Sequence, residues 1–156
     1  MKKMFQYNWQ IREEWFERCH LISLEELLAN RVGGAGSILY TLYHIVDVEY
    51  SWIRGIAGKP DVQIPFEQVQ TLSLVQELSD SWHGEVRSFI ESWSTEREHD
   101  RVDISWNDRP YTQGDILRHL IAHEIHHVGQ LSIWVRELGI EPISASLVDR
   151  NKGGIL

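Results

Sequence analysis

The chain has 156 residues, 42% of them hydrophobic and 24% charged, with a net charge of −8 and one cysteine, Cys19. The length suits one domain, 1–156, with a substantial core, and the acidic balance argues against a nucleic-acid groove or an anionic membrane surface as partner. A lone cysteine excludes an internal disulfide and a cysteine-rich zinc site and points to a reducing, cytoplasmic compartment; the N-terminus lacks an apolar core of signal-peptide length, and no run approaches the ~20 apolar residues of a membrane span.

Residues 4–19 predict a first helix, with Phe5, Trp9, Ile11, Trp15, Phe16 and Cys19 inward and Arg12, Glu13, Glu14, Glu17 and Arg18 on the wet face. His20 suits the negative end of its dipole. Ser23-Leu24-Glu25-Glu26 is a capping box that starts one or two turns. Arg31-Val32-Gly33-Gly34-Ala35-Gly36-Ser37 lacks the spacing and lysine of a phosphate-binding loop. It reads as a flexible connection, with Ser37 capping the next helix.

Residues 37–57 predict a second helix whose apolar face is Ile38, Leu42, Ile45, Trp52 and Ile56. His44 lies at the margin of that face, near Tyr40, Asp47, Val48 and Ser51. A lone histidine there is ordinarily a hydrogen-bonded structural residue. A loop with Pro60 and Pro65 leads to a third helix over 71–94, with Leu74, Leu78, Trp82, Phe89, Ile90 and Trp93 inside. His83 and Gly84 interrupt it, and His83 is expected to be exposed. Val102, Ile104 and Trp106 alternate with Asp103 and Ser105, and Asn107-Asp108-Arg109-Pro110 forms the turn of a short hairpin.

Thr112 caps a fourth helix over 112–138, with Asp115 near its positive end and Gly139 and Pro142 beyond its stop. The tail is irregular, and Asn151-Lys152-Gly153-Gly154 is expected to be mobile. The seven tryptophans are expected to be core packing; the sharper alternative is that one or two wall a pocket.

Four helices of bundle length with only a short hairpin predict an all-α four-helix bundle. Its chemistry centres on the fourth helix, where His119, His123, His126 and His127 crowd into nine residues. His123 and His127 are four apart and share a face, Cβ atoms roughly 5–6 Å apart. Two such imidazoles can turn onto one divalent ion at about 2.0–2.1 Å. Helical angles place His127 among Leu120, Leu131 and Trp134, with His123 at the edge of that stripe. His119, His126 and Gln130 point to the polar side. His119 with His123 is a rival pair, but it faces away from the bundle interior. Bundles hold metals between facing helices, so His44 is the expected third ligand.

Glu124 points between Leu117 and Val128; it is expected to bind a polar group on another helix rather than the metal. A second stripe, Ala122, Ile125, Gly129 and Ile133, offers close approach to another helix or to a second subunit.

His44, within Gly36-Ser37-Ile38-Leu39-Tyr40-Thr41-Leu42-Tyr43-His44-Ile45, is followed late in the chain by His123-x-x-x-His127-x-Gly129-Gln130. In a chain of this size that order resembles the DinB family of DinB/YfiT-like metalloenzymes, over nearly the whole length. The resemblance implies an up-down-down-up bundle, commonly a homodimer. It implies a divalent metal (zinc, nickel or iron) on three histidines that map onto His44, His123 and His127. Several relatives are S-transferases that use bacillithiol, mycothiol or glutathione, so a low-molecular-weight thiol is the implied co-substrate. Val128 stands where relatives often carry arginine.

Three functions compete. A metal-dependent enzyme acting on a small molecule needs an open coordination position, which three imidazoles leave. A non-catalytic metal- or ligand-binding stress protein would share the same site. A zinc peptidase is suggested by His123-Glu124-Ile125-His126-His127, which satisfies H-E-x-x-H, but no long sheet edge aligns a peptide.

Overall fold

Three of the long helices begin with the same device. In this computed structural model, which describes residues 1–104 and 106–150, Ser37 Oγ accepts from Tyr40 N–H (3.1 Å), Thr71 Oγ1 from Leu74 N–H (3.3 Å) and Thr112 Oγ1 from Asp115 N–H (3.2 Å). Each such cap satisfies one donor left over at a helix start and contributes about 1 kcal/mol. The helices are α1 (Lys2–Cys19), the short α2 (Leu24–Leu28, capped by Ser23), α3 (Ile38–Ile56), α4 (Leu72–Ser92) and α5 (Gln113–Glu137). At the end of α5, Gly139 turns to a positive φ of 72°. Its N–H then reaches Arg136 O and that of Ile140 reaches Val135 O, which closes the helix.

Directions follow from side-chain pairs. On α1 and α5, Asn8 meets Ile121 and Arg12 meets Glu124, both numbers rising together, so the two run parallel. On α3 and α4, Tyr50 stacks on Trp82 and Arg54 binds Glu85, again parallel. On α3 and α5, His44 meets His123 and Trp52 meets His119, so these are antiparallel. On α1 and α4, Lys2 meets Glu91 and Trp9 meets His83, also antiparallel. The bundle is therefore up-down-down-up. The parallel step from α3 to α4 needs the long connection through Pro60 and Pro65. Among the described residues no helix is long and apolar enough to cross a membrane.

The core has two clusters. One contains Ile11, Trp15, Phe16, Leu39, Leu42, Leu131 and Trp134; the other contains Phe5, Ile53, Ile90, Trp93, Ile116 and Leu117. Between them along the helices lies a polar layer of Arg12, Glu49 and Glu124, each at most 6% exposed. Arg12 was expected on the wet face. Instead its guanidinium clamps Glu124 through Nε (2.9 Å) and Nη2 (2.7 Å) and binds Glu49 through Nη1 (2.8 Å). Trp9 Nε1 donates to Glu49 Oε1 (2.9 Å).

Further details differ from the sequence expectation. Helix α4 runs unbroken through His83 and Gly84, and His83 is half-buried against the Trp9 ring, centroids 4.8 Å apart. Leu74 faces outward, while Leu72 and Val75 take the inner positions. Strands β1 (Arg101–Ile104) and β2 (Asn107–Thr112) pair antiparallel with Ile104 opposite Asn107, so the turn precedes Asn107. Asn107-Asp108-Arg109-Pro110 is strand; Pro110, exposed in a two-stranded sheet, costs no ladder bond that a central strand would need. Val128 is 5% exposed and packs in the core rather than on a flank. A short α6 (Leu147–Arg150) follows, its Arg150 bound to Glu14. The expected mobility of residues 151–154 lies outside the described residues.

Candidate metal centre

His44 sits midway along α3 and His123 and His127 one turn apart on α5, where the antiparallel pair is in contact. His123 Nε2 stands 3.0 Å from His44 Nε2 and 3.2 Å from His127 Nε2. All three residues can offer ring nitrogens within 4.8 Å of one another. Two nitrogens at about 2.0–2.1 Å from one tetrahedral ion stand roughly 3.3 Å apart, so the two spacings about His123 are near those that a shared ion would need, and the three residues could hold one. Hydrogen bonding alone serves the arrangement poorly. A single proton on His123 Nε2 satisfies one neighbour and leaves the other facing a lone pair or a second proton.

Electrostatics keep these rings neutral. Burial lowers the His44 pKa, with repulsion from His127 adding to it. His123 is pushed down to about 3 by burial and then by His127 and His44. Burial also lowers His127, partly opposed by its bond to Gln130. Neutral imidazole is the form that donates a lone pair to a metal.

The far side of the His127 ring is fixed by its surroundings. His127 Nδ1–H donates to Gln130 Oε1 (2.7 Å), which leaves Nε2 with its lone pair toward His123. Gln130 Nε2–H in turn donates to His126 Nε2 (3.0 Å). Gln130 is pressed by the glycine-rich connection. A Cβ on Gly34, whose φ is +63°, would lie 2.6 Å from Gln130 Oε1 and 2.7 Å from Trp134 Cη2. Trp134 Nε1 donates to Val32 O (3.3 Å) and ties that connection down. The stretch expected to be a mere linker therefore walls the site. On the other helix, the Tyr40 ring lies 8° from parallel with His44, centroids 6.2 Å apart. A cavity of about 490 Å³ opens beside the cluster, bounded by Gly34, Ala35, Tyr40, His44, His127 and Gln130.

His119 and His126 are exposed, as expected, and stand at the rim: the His119 ring is 5.6 Å from that of His123, and His126 is 5.3 Å from that of His127. Glu124 turns the other way, to Arg12 on α1, and is 3% exposed. Burial raises its pKa against the pull of that guanidinium; the guanidinium, despite its own burial, is held above its ordinary pKa by the two carboxylates. A carboxylate locked there does not reach the histidine cluster, which removes the water-polarising glutamate that a zinc peptidase requires. Cys19, the chain's one thiol, is fully buried with its pKa pushed up to about 12 by burial.

Sequence reasoning missed Gly34 as a wall and Arg12 as the partner of Glu124. The signal for Arg12 was present: helical spacing groups it with Phe5, Asn8, Trp15 and Phe16.

Comparison with known proteins agrees with this architecture. The chain is 50% identical over 151 residues to YizA of Bacillus subtilis (strain 168), covering 96% of this chain and 95% of that one. It is 27% identical over 82 residues to YrdA of the same organism, half of this chain and 48% of that one. The crystal structure of a DinB-like protein from Bacillus cereus ATCC 10987 superposes with a TM-score of 0.62 at 18% identity, covering 86% of this chain and 89% of the other, which speaks to fold alone. Residues 1–153 match the DinB family as a whole, and the chain belongs to that family.

Proposed function

We propose that this protein is a divalent-metal-dependent enzyme that joins a low-molecular-weight thiol to a small electrophile. His44, His123 and His127 would hold the ion, zinc, nickel or iron, and the observation that carries this reading is the 3.0 and 3.2 Å spacing of their Nε2 atoms. A bound ion with an open position lowers the pKa of a thiol or water beside it.

The chain's own residues do the rest. Gln130 holds the His127 ring in the tautomer whose Nε2 is free to bind. Arg12 anchors the α5 turn that carries His123 by gripping Glu124. The thiol must come from outside, because Cys19 is buried. In the transfer a sulfur–carbon bond forms as the bond from that carbon to its leaving group breaks. The leaving group departs with the bonding pair, and exposed His119 or His126 passes the thiol proton to solvent. An acidic chain working on small molecules has no need of nucleic acid or membrane, and a thiol co-substrate fits a reducing cytoplasm.

The protein is also proposed to act as a homodimer. Ile125 is 42% and Ile133 58% exposed, and with Ala122 and Gly129 they leave an apolar stripe on α5 for a second copy to cover. Sedimentation should give twice the chain mass at micromolar concentration; monomer alone refutes it.

The test is thiol consumption by tag-free protein loaded with each metal, using bacillithiol, mycothiol and glutathione against a panel of electrophiles. Chelator-sensitive consumption, one thiol per product and lost in His123→Ala, is expected. Stoichiometric metal with no turnover across the panel would make this a binding protein instead.

A further inference from the structure

A second cavity lies in the same α3–α5 groove, on the opposite side of the histidines from Gly34. It measures about 280 Å³ and is lined by Trp52, Tyr111, Asp115, Ile116 and His119. Trp52 is two turns beyond His44 on α3, about 12 Å along the axis, and His119 is one turn before His123 on α5. His119 is thus the shared wall between the cavity and the three imidazoles, its ring 5.6 Å from that of His123.

The walls are aromatic and set at angles. Trp52 meets Tyr111 at 87° (5.4 Å) and His119 at 66° (6.0 Å). Trp52 and Tyr111 pack against the second core cluster but stay half-buried, and His119 is exposed, so their outer faces are left to the groove. They are held there by the docking of the hairpin on α3 at Gly55, where an added Cβ would stand 2.7 Å from Ile104 Cδ1 and 3.0 Å from Trp106 Cη2. Among the described residues that line it, the carboxylate of Asp115 is already engaged: Thr112 Oγ1 donates to it (2.7 Å), and Arg118 lies 3.5 Å away. Arg118 is itself bound to Glu98. The cavity therefore offers flat apolar faces and little unbalanced charge. A cavity of about 150 Å³ holds benzene, so this one has room for a fused pair of rings.

Resting on the enzyme reading above, we infer that this cavity is the subsite for the electrophile and selects an uncharged, planar aromatic group. A charged group of either sign would lose hydration between these apolar faces, so anionic thiols belong on the Gly34 side and the two reactants approach the histidines from opposite ends of one groove. An aromatic substrate reaches the cluster with its reactive carbon about 6–12 Å from the ring centre, set by the offset of four to eight helical residues.

The experiment uses three probes that share one naphthyl ring and carry a small neutral, anionic or cationic substituent: 2-naphthylmethanol, 2-naphthoate and 2-naphthylmethylammonium. Each is titrated into the full chain, with and without bound metal, while the indole N–H resonance of Trp52 is followed by ¹H–¹⁵N NMR. The neutral probe should shift that resonance saturably whether or not metal is present. The anion should bind at least tenfold more weakly, and His119→Ala, a change at an exposed position, should weaken the neutral probe several-fold. Equal or tighter binding of the cation would make the pocket a cation box and overturn the inference. So would equal binding of the anion, an unperturbed Trp52, or a titration that His119→Ala leaves unchanged. Because the metal-free protein is included, loss of the metal reading leaves this result intact, and a silent Trp52 in metal-loaded protein removes the subsite alone.

Discussion

Replacing Arg12 by methionine tests the polar layer that anchors α5. Arg12 makes bonds of 2.9 and 2.7 Å to Glu124 and 2.8 Å to Glu49, and all three side chains are at most 8% exposed. Removing one member of a buried ion pair costs about 3–5 kcal/mol, because the remaining charge is left in low dielectric. For a chain of this size each kcal/mol moves Tm by roughly 2–4 °C, so Arg12→Met should lower the Tm of the metal-free protein by about 6–20 °C at pH 7. The deficit should shrink on acidification. Stranded carboxyls have folded pKa values above their unfolded ones, so the native variant binds more protons and gains stability relative to wild type as pH falls toward about 4–5. Adding Glu124→Met and Glu49→Gln, the latter keeping an acceptor for Trp9 Nε1, should restore much of the loss. Thermal unfolding by circular dichroism at pH 7 and pH 5 decides the matter. A drop under about 3 °C, or a deficit that grows at pH 5, would refute the idea of a buried charge layer.

Gly34→Ala places a methyl 2.6 Å from Gln130 Oε1 at a φ of +63°. It should cost about 1–3 kcal/mol and weaken metal binding; unchanged Tm and affinity would show that the connection does not press on Gln130. Cys19, fully buried with a pKa near 12, should resist a disulfide reagent until the protein unfolds, and reaction as fast as in a denatured control would contradict that burial. The metal-free protein should lose stability as pH falls from 7.5 to 5.5. His44, His123 and His127 all have lowered folded pKa values. The unfolded chain therefore takes up protons below about 6.5 before the native state does. A urea midpoint that is flat over that window, or that rises on acidification, would count against neutral buried rings.

How much of this was legible in the sequence depended on how local the cause was. Helix starts at Ser23, Ser37 and Thr112 are written in single residues and were readable. So was the divergence of Glu124 from its neighbour His123, which follows from about 100° per residue. His44 could be brought to His123 only by treating the helices as a bundle and by family resemblance, since nothing near residue 44 points seventy-nine residues ahead. The hairpin turn was misplaced because Asn107-Asp108-Arg109-Pro110 has turn chemistry, whereas a shift of register between Val102 and Ile104 moves the reversal earlier. Arg12 was assigned to water by residue type although its spacing lay on the inner face. The wall at Gly34 is a tertiary contact with Gln130 and Trp134, and no local pattern announces it.

The most direct test of the account is the metal content of tag-free protein and of three alanine variants. One divalent ion per chain is predicted in the wild type and in His119→Ala, with most of it lost in His44→Ala and His127→Ala while the fold is retained. Full retention in His44→Ala, with loss in His119→Ala, would contradict the site formed by His44, His123 and His127.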